Sequence, residues 1–456
     1  VEAAATLERR LANFRAGLAT AERGPADGTI ERPLARMDPA ALAERLAAAV
    51  DAEIVRSPAG TLLRIEAETR PIPVDRRRLA DLPGQPPPDV PLVCLDTETT
   101  GLATAAGTVA FLVGLGWWEG DAFRQVQLLL PDHADEPALL AALADHLPAD
   151  AWLVTYNGRG FDWPLLVTRY RMARRSAPPL AGHLDLLPLV RRVFRHRMAD
   201  ARLQTVESTL LGIRRVGDVE GWEIPGRYLD VLRGGSPTVL VDVVRHNDED
   251  VRSLARLLAH VERGLGDEDA RRRADPGDVA GLARAFAREC RLDEALACLD
   301  VAATRIGGPG AVERPRVEAP WWSPRGTTDF GGRPGPAPRD ERPTPIAAPW
   351  SEERLIVERA HVLRRLGRAA EAAEAWAALA AGTTRLAAVA AVELAKLREH
   401  RLGDLDGALE AVERGWRILD RRRRLGRPEP GLEADLVRRS KRLRRRILRA
   451  RGAPAA

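Results

Sequence analysis

Residues Pro91-Leu92-Val93-Cys94-Leu95 run directly into Asp96-Thr97-Glu98-Thr99-Thr100-Gly101-Leu102. The first five are apolar enough for a strand buried on both faces. Side chains alternate along a strand, so Asp96 and Glu98 project to the same side at its end. Two like charges a few ångströms apart oppose each other's ionisation unless a cation lies between them. A hard divalent ion is the simplest such cation, because carboxylate oxygens are its preferred ligands. The stretch therefore predicts one strand of a sheet bearing a metal-dependent site that acts on phosphoryl groups.

The sequence around it fits a sheet. Apolar runs at Thr108 to Trp118 and Phe123 to Leu130, each closed by turn residues, predict two further strands, and the three in succession can pair antiparallel. A helix over Glu136 to Leu147, a strand over Ala151 to Tyr156 and a helix over Trp163 to Met172 come next. Helical spacing then continues at Leu184 to Phe194, Leu203 to Leu211 and Thr238 to Leu265. This order predicts an α/β RNase H-like domain over 89–267, a mixed sheet flanked by helices. Upstream, 1–88 reads as an N-terminal extension with amphipathic helices over 6–17 and Ala40 to Val50. It also holds a hairpin of Glu53-Ile54-Val55 and Thr61 to Glu66 about Ser57-Pro58-Ala59-Gly60.

Beyond Asp267 the pattern becomes purely helical. A helix pair is expected over 276–305, a disordered Gly-, Pro- and Arg-rich insert over 306–350, and a helical region over 351–450 ending in a basic helix. Gly367 and Gly403 each open a turn into a second helix and stand 36 residues apart. That is close to the tetratricopeptide period of about 34. Leu366-Gly367 with Glu371-Ala372, and Leu402-Gly403 with Gly407-Ala408, resemble the turn of that repeat. The region is expected to be an all-α, TPR-like module that can recruit a protein partner.

Composition narrows the function classes. The 456 residues are enough for two or three domains with real cores, and the net charge is +5. Between Arg414 and Arg451 sixteen basic residues face four acidic ones. Such an end suits a polyanion such as nucleic acid, although an arginine-rich solvated face reads equally well. Cys94, Cys290 and Cys298 form neither a disulfide framework nor a metal-type spacing, which is ordinary for a reducing cytoplasm. The first residues lack a signal-peptide pattern, and the longest apolar run is too short to span a membrane.

Further carboxylates stand where a metal site needs them. Thr155-Tyr156-Asn157-Gly158-Arg159-Gly160-Phe161-Asp162 ends a strand, turns on glycines and opens the next helix at Asp162. His246 and Asp250, in His246-Asn247-Asp248-Glu249-Asp250-Val251, share one helical face at i and i+4. These blocks resemble the motifs of the DEDD superfamily of exonucleases, with Asp96 and Glu98 in the first, Asp162 in the second and Asp250 in the third. Over Val93 to Leu265 the resemblance is closer to YprB-like RNase H-like proteins. It is carried by Phe111 to Gly116, Thr155 to Tyr170, His183 to Leu187, Leu203 to Gly212, Gly221 to Tyr228, and His246-Asn247 with Asp250, in order.

The resemblance implies a 3′ to 5′ exonuclease hydrolysing DNA or RNA phosphodiesters with two Mg²⁺ or Mn²⁺ ions. Asp96, Glu98, Asp162 and Asp250 would hold those ions about 3.5 to 4 Å apart, and His246 would accept or orient the attacking water's proton. Three residues separate His246 from Asp250, whereas family members with a histidine base generally have four. Thr99, Gly101 and Leu102 follow the first carboxylates where relatives contact the terminal nucleotide, or else form a simple turn. Asn157 and Phe161 would hydrogen-bond and stack on a nucleotide, unless Phe161 packs the core. Asp185 reads as either a supporting ligand or a helix cap, and Trp117 and Trp118 as sheet cover. The alternative is a non-catalytic nucleic-acid-binding or scaffold protein that keeps the fold.

Overall fold

The computed structural model describes residues 38–101, 107–306 and 350–451. The helix read over 6–17, Leu102, and nearly all of the stretch read as a Gly-, Pro- and Arg-rich insert lie outside these residues. The contacts divide the chain into two units. The first draws on Val1–Pro73, Asp89–Leu186 and Arg214–Leu258, and the second on Val74–Pro88, Leu187–Ile213 and Ala259–Ala456.

The first unit is built on one eight-stranded mixed sheet. Its strands are β1 (Glu53–Ser57), β2 (Gly60–Glu66), β3 (Arg70–Pro71), β4 (Leu92–Thr99), β5 (Ala110–Glu119), β6 (Ala122–Leu129), β7 (Trp152–Thr155) and β8 (Gly182–Asp185). The order is β1-β2-β6-β5-β4-β7-β8, with β3 paired to β6. As the three apolar runs predict, β4, β5 and β6 pair antiparallel, while β4, β7 and β8 run parallel. The central strand β4 is buried from Leu92 through Leu95 because helices cover both faces of such a sheet.

Two local readings change. The hairpin read as part of an N-terminal extension pairs through β2 with β6 and so completes the sheet. The stretch read as a helix from Leu184 begins as β8, parallel to β7, and turns helical only at Leu186. Four residues are too few to show a period of two beside an apolar helix. β4 runs on to Thr99, which keeps the two carboxylates on the end of the strand where its alternation puts them.

The helices of this unit are α1 (Pro39–Val50), α2 (Glu136–Asp145), α3 (Asp162–Met172), α4 (Ile224–Leu232) and α5 (Val241–Leu265), the last contributing its residues up to Leu258. Asp38 caps α1 ahead of Pro39, which supplies a helical φ at the first position. Phe111 and Tyr228 stack with ring centroids 4.0 Å apart, joining β5 to α4, a contact of about 0.5–1.5 kcal/mol beyond its buried area.

The second unit is helical: α6 (Pro276–Arg288), α7 (Leu292–Ile306), α8 (Glu352–Arg365), α9 (Ala369–Ala380), α10 (Arg385–Leu397), α11 (Leu405–Arg424) and α12 (Pro430–Ala450), with shorter helices including Leu203–Val206 and Glu268–Arg273. From α6 to α12 each helix packs on the next in the chain. Stripes of small residues allow this, among them Ala387, Ala388, Ala390, Ala391 and Ala395 of α10, all buried. No helix among the described residues is long and apolar enough to cross a membrane.

Candidate metal-dependent site on the central strand

Asp96 and Glu98 lie on one face of β4, both less buried than Thr97 and Thr99, which alternate with them. The pairing of β4 with β5 shifts between Glu98 and Thr99, a bulge at the end of the carboxylate pair. Opposite Asp96 in the ladder stands Gly114. A Cβ on Gly114 would lie 2.3 Å from Asn247 Oδ1 and 2.7 Å from Val251 Cγ2. Only glycine therefore lets α5 approach the sheet closely enough to present its side chains to β4.

That approach fixes Asn247. Its side chain is fully buried, and Nδ2 donates to Asp96 Oδ2 at 2.9 Å while Oδ1 accepts from Gln127 Nε2 at 2.9 Å. Gln127 also donates to Val244 O at 2.8 Å, so a buried strand amide clamps the helix and the helix amide steers the carboxylate. Asp162 opens α3 after a turn in which Asn157 takes φ 68°, a left-handed conformation that asparagine tolerates. Asp185 holds the turn, accepting from the amides of Asn157 at 2.8 Å and Arg159 at 3.3 Å. It thus ties down the loop that delivers Asp162. Asp162 is 7% exposed and accepts from Thr97 Oγ1 at 2.5 Å.

The electrostatics show that the four carboxylates converge. Burial first, then repulsion from Asp250 and Asp162, pushes Asp96 well above the usual carboxylate range. Glu98 is raised by burial and then by Asp96, Asp250 and Asp162, and Asp162, mainly by burial, to about 6. Acids so placed are costly to ionise without added positive charge. Arg215 supplies one such charge: its guanidinium donates to Asp250 Oδ1 and, at 3.1 Å, to Asp218 Oδ2.

His246 sits among them in a defined orientation. Nδ1 lies 2.8 Å from Asp218 Oδ1. Nε2 faces the carboxylates, 3.7 Å from Asp250 Oδ2 and 4.0 Å from Glu98 Oε1. Burial raises Asp218, but the hydrogen bond from His246 and the Arg215 charge outweigh it and hold this carboxyl below its ordinary value. An ionised Asp218 accepts the Nδ1 proton, which leaves the Nε2 lone pair directed at the carboxylate cluster.

Asp96, Glu98, Asp162, His246 and Asp250, singled out in the sequence, therefore come together. Thr99 is buried and its hydroxyl donates to Gly101 O at 2.7 Å, closing the turn after β4. Asn157 is exposed and Phe161 partly so; Phe161 lies outside the main core cluster. Trp117 packs on that core, and Trp118 Nε1 donates to Ile72 O at 2.7 Å. Sequence reasoning missed Arg215 and Asp218. They occupy the segment Arg214-Arg215-Val216-Gly217-Asp218, where no periodicity marks a functional position.

The second unit holds another acidic and histidine group, His196, Asp275 and Asp278, with ligand atoms within 4.8 Å of one another. Its carboxylates are already engaged within the helical unit. Arg197 Nη1 already donates to Asp278 Oδ2 at 2.6 Å. Asp275 Oδ1 is committed to capping α6, accepting from the Gly277 amide at 2.8 Å.

Residues 93–262 match the RNase H superfamily. Over 211 residues the chain is 36% identical to "Uncharacterized protein YprB" of Bacillus subtilis (strain 168), covering 46% of this chain and 51% of that protein. The chain thus spans about half the length of the curated relative it matches. The matched span contains the strand that bears Asp96 and Glu98, the turn before Asp162 and the part of α5 that carries His246 and Asp250.

Proposed function

We propose that the protein is a metal-dependent nuclease of the 3′ to 5′ exonuclease type, with Asp96, Glu98, Asp162 and Asp250 holding two Mg²⁺ or Mn²⁺ ions. The observation that carries this reading is the convergence of four carboxylates: burial raises the proton affinity of Asp96, Glu98 and Asp162, and repulsion from the other acids of the group adds to it at Asp96 and Glu98. An oxygen-only donor set of this kind suits hard divalent cations. When bound, such ions supply Lewis-acid activation of water and stabilise charge on the leaving oxygen.

The chain's own residues do the rest. Asn247 holds Asp96 in one rotamer through its amide. Asp185 and Thr97 fix Asp162 from the loop and from the strand. His246 accepts the proton of the attacking water at Nε2, its ring oriented by Asp218. That orientation answers the short spacing to Asp250: the ring reaches the cluster because a neighbouring loop pins its far nitrogen. Thr99, Gly101, Leu102, Asn157 and Phe161 are proposed to contact the terminal nucleotide. The succession of helices from α6 to α12 is read as TPR-like and as a platform for a protein partner or for nucleic acid.

Strands labelled at either end test the polarity. With Mg²⁺ or Mn²⁺, a 3′ label on single-stranded DNA or RNA should leave as mononucleotide at once, while a 5′ label passes through a ladder of shortening products. Internal fragments as first products would replace the exonuclease reading with an endonuclease one, and no cleavage of any substrate would favour the binding-protein alternative.

Asp218→Ala probes the orientation of His246. We expect kcat to fall about 10- to 100-fold, in line with losses on removing a partner of an active-site histidine. KM should stay close to wild type, while the melting temperature should fall, because Arg215 loses one of its two carboxylate partners. An unchanged kcat would remove Asp218 and the Nε2 base from the mechanism.

A further inference from the structure

Far along the chain from these carboxylates, the helical unit contains a cavity of ≈ 360 Å³ whose lining includes Thr383, Thr384, Arg385, Arg421, Arg422 and Arg427. Three elements meet there: the N-terminus of α10, the C-terminal turn of α11 and the loop leading to α12.

Arginines at the end of α11 have an ordinary explanation, since cations favour the negative end of a helix dipole. Four features go beyond it. The side chains of Arg421 and Arg427 make no hydrogen bond or ion pair with the described residues. Arg422 is only 15% exposed, and its Nε is buried without a hydrogen-bond partner. Arg385 and Arg422 share a single carboxylate, Glu429, each at 3.1 Å, so four guanidinium groups are opposed by one acid in direct contact. Finally, α10 is 13 residues long, and its first turn opens toward this cluster. Thr384 caps it, accepting from the Ala387 amide at 3.2 Å and donating to Glu353 at 2.9 Å. The first backbone amides of such a helix lack intrahelical acceptors and favour an anion.

We propose that this cavity is a phosphate-binding site. Planar guanidinium groups, the Thr383 hydroxyl and the helix-terminal amides that Thr384 does not cap together match a tetrahedral oxyanion. The volume admits a phosphate group with part of its ester. The phosphate comes either from the backbone of a nucleic-acid strand, an assignment that rests on the nuclease reading, or from free phosphate or a mononucleotide.

The test uses the full chain with a chelator present, so no turnover occurs and its outcome is independent of the nuclease reading. Binding of a labelled single-stranded oligonucleotide is followed by fluorescence anisotropy across a salt series. Thermal stability is measured in parallel with inorganic phosphate and with a nucleoside monophosphate. The variant is Arg421→Ala/Arg427→Ala, two exposed side chains whose removal leaves the core intact. The control is Arg444→Ala/Arg445→Ala, an equal loss of exposed charge on α12, away from the cavity lining.

If the strand supplies the phosphate, the cavity variant should bind the oligonucleotide about 10-fold more weakly, with the salt slope reduced by roughly 1.4 for two lost contacts. The control should change much less. If free phosphate or a mononucleotide is the ligand, the wild type and the control should be stabilised by it, the cavity variant should not, and the oligonucleotide slope should be unaltered. Equal losses in both variants would make the arginines a diffuse basic face, and no response in either measurement would leave no phosphate site; each overturns the proposal.

Discussion

Replacing Asp96 by Asn is expected to lower kcat on the order of a thousand-fold or more while raising stability in the presence of a chelator. The loss of activity follows from the place of Asp96 between the other carboxylates. Metal ions contribute several kcal/mol of transition-state stabilisation, and each 1.36 kcal/mol is tenfold in rate. The gain in stability follows from the same geometry. Burial, then Asp250 and Asp162, push the Asp96 carboxyl up, so the folded chain binds its proton more tightly than the unfolded chain. A raised group contributes stability that is fully present below its unfolded value, near 3.8, and that is lost as pH rises through its folded value. Metal-free wild type should therefore become less stable from about pH 4 upward, and Asp96→Asn should flatten that decline. A Glu98→Gln variant should behave alike, since burial and the same neighbours raise it too. Urea unfolding at several pH values with chelator, set beside hydrolysis with Mg²⁺, measures both. A variant that loses activity together with stability would make Asp96 a structural residue.

The second large effect is expected at Glu399, in the π-helical turn Arg398–Leu402 that ends α10. Its side chain is fully buried. It accepts from Arg439 Nη1 at 3.1 Å, Arg442 Nε at 2.8 Å and Arg446 Nη1 at 3.0 Å. The three arginines recur along one face of α12, so a single carboxylate fastens the last helix. Removing one partner of a buried ionic network leaves uncompensated charge and costs about 3–5 kcal/mol. Glu399→Ala should lower the urea midpoint accordingly and reduce helicity by roughly the content of α12. Although burial raises the Glu399 carboxyl, the hydrogen bonds from Arg442 and Arg446 outweigh it and hold it at about 2. A depressed group contributes stability above its unfolded value and loses it as pH falls through its folded value. The gap between wild type and Glu399→Ala should therefore be full above about pH 5 and close toward about pH 2. A gap independent of pH would show that packing, not charge, joins α12 to α10.

The same arginines qualify what the charge count says about the C-terminal end. Sixteen basic residues over 414–451 read equally as a polyanion-binding surface or a solvated face. Arg439 belongs to neither, because it is buried against Glu399, and the half-exposed Arg442 and Arg446 spend part of their charge on the same acid. A linear sequence cannot show this: Glu399 lies 40 residues from Arg439, and only the packing of α12 on α10 brings them together.

Much of the first unit was legible from local pattern. The three apolar runs ending in turn residues located β4, β5 and β6, because period-two burial and strand length leave a strong local trace. The four carboxylates and His246 could be named because each stands at the end of a strand or on a helix face. What stayed illegible was short or non-periodic. β8 has four residues and merges into the helix after it. The hairpin of β1 and β2 carries no sign that it pairs with β6, which lies some 60 residues away.

The sequence by itself determined the chemistry available at the site: which acids, which histidine, and on which kinds of element they stand. These follow from side-chain identity and from periods of two and 3.6, which act over a few residues. Only the tertiary structure decided how that chemistry is aimed. Gly114 faces Asn247 across the gap between sheet and helix, Asp218 turns the ring of His246, and Arg215 lies against Asp250. Those contacts depend on the distance between packed elements, and nothing in a local pattern encodes that distance.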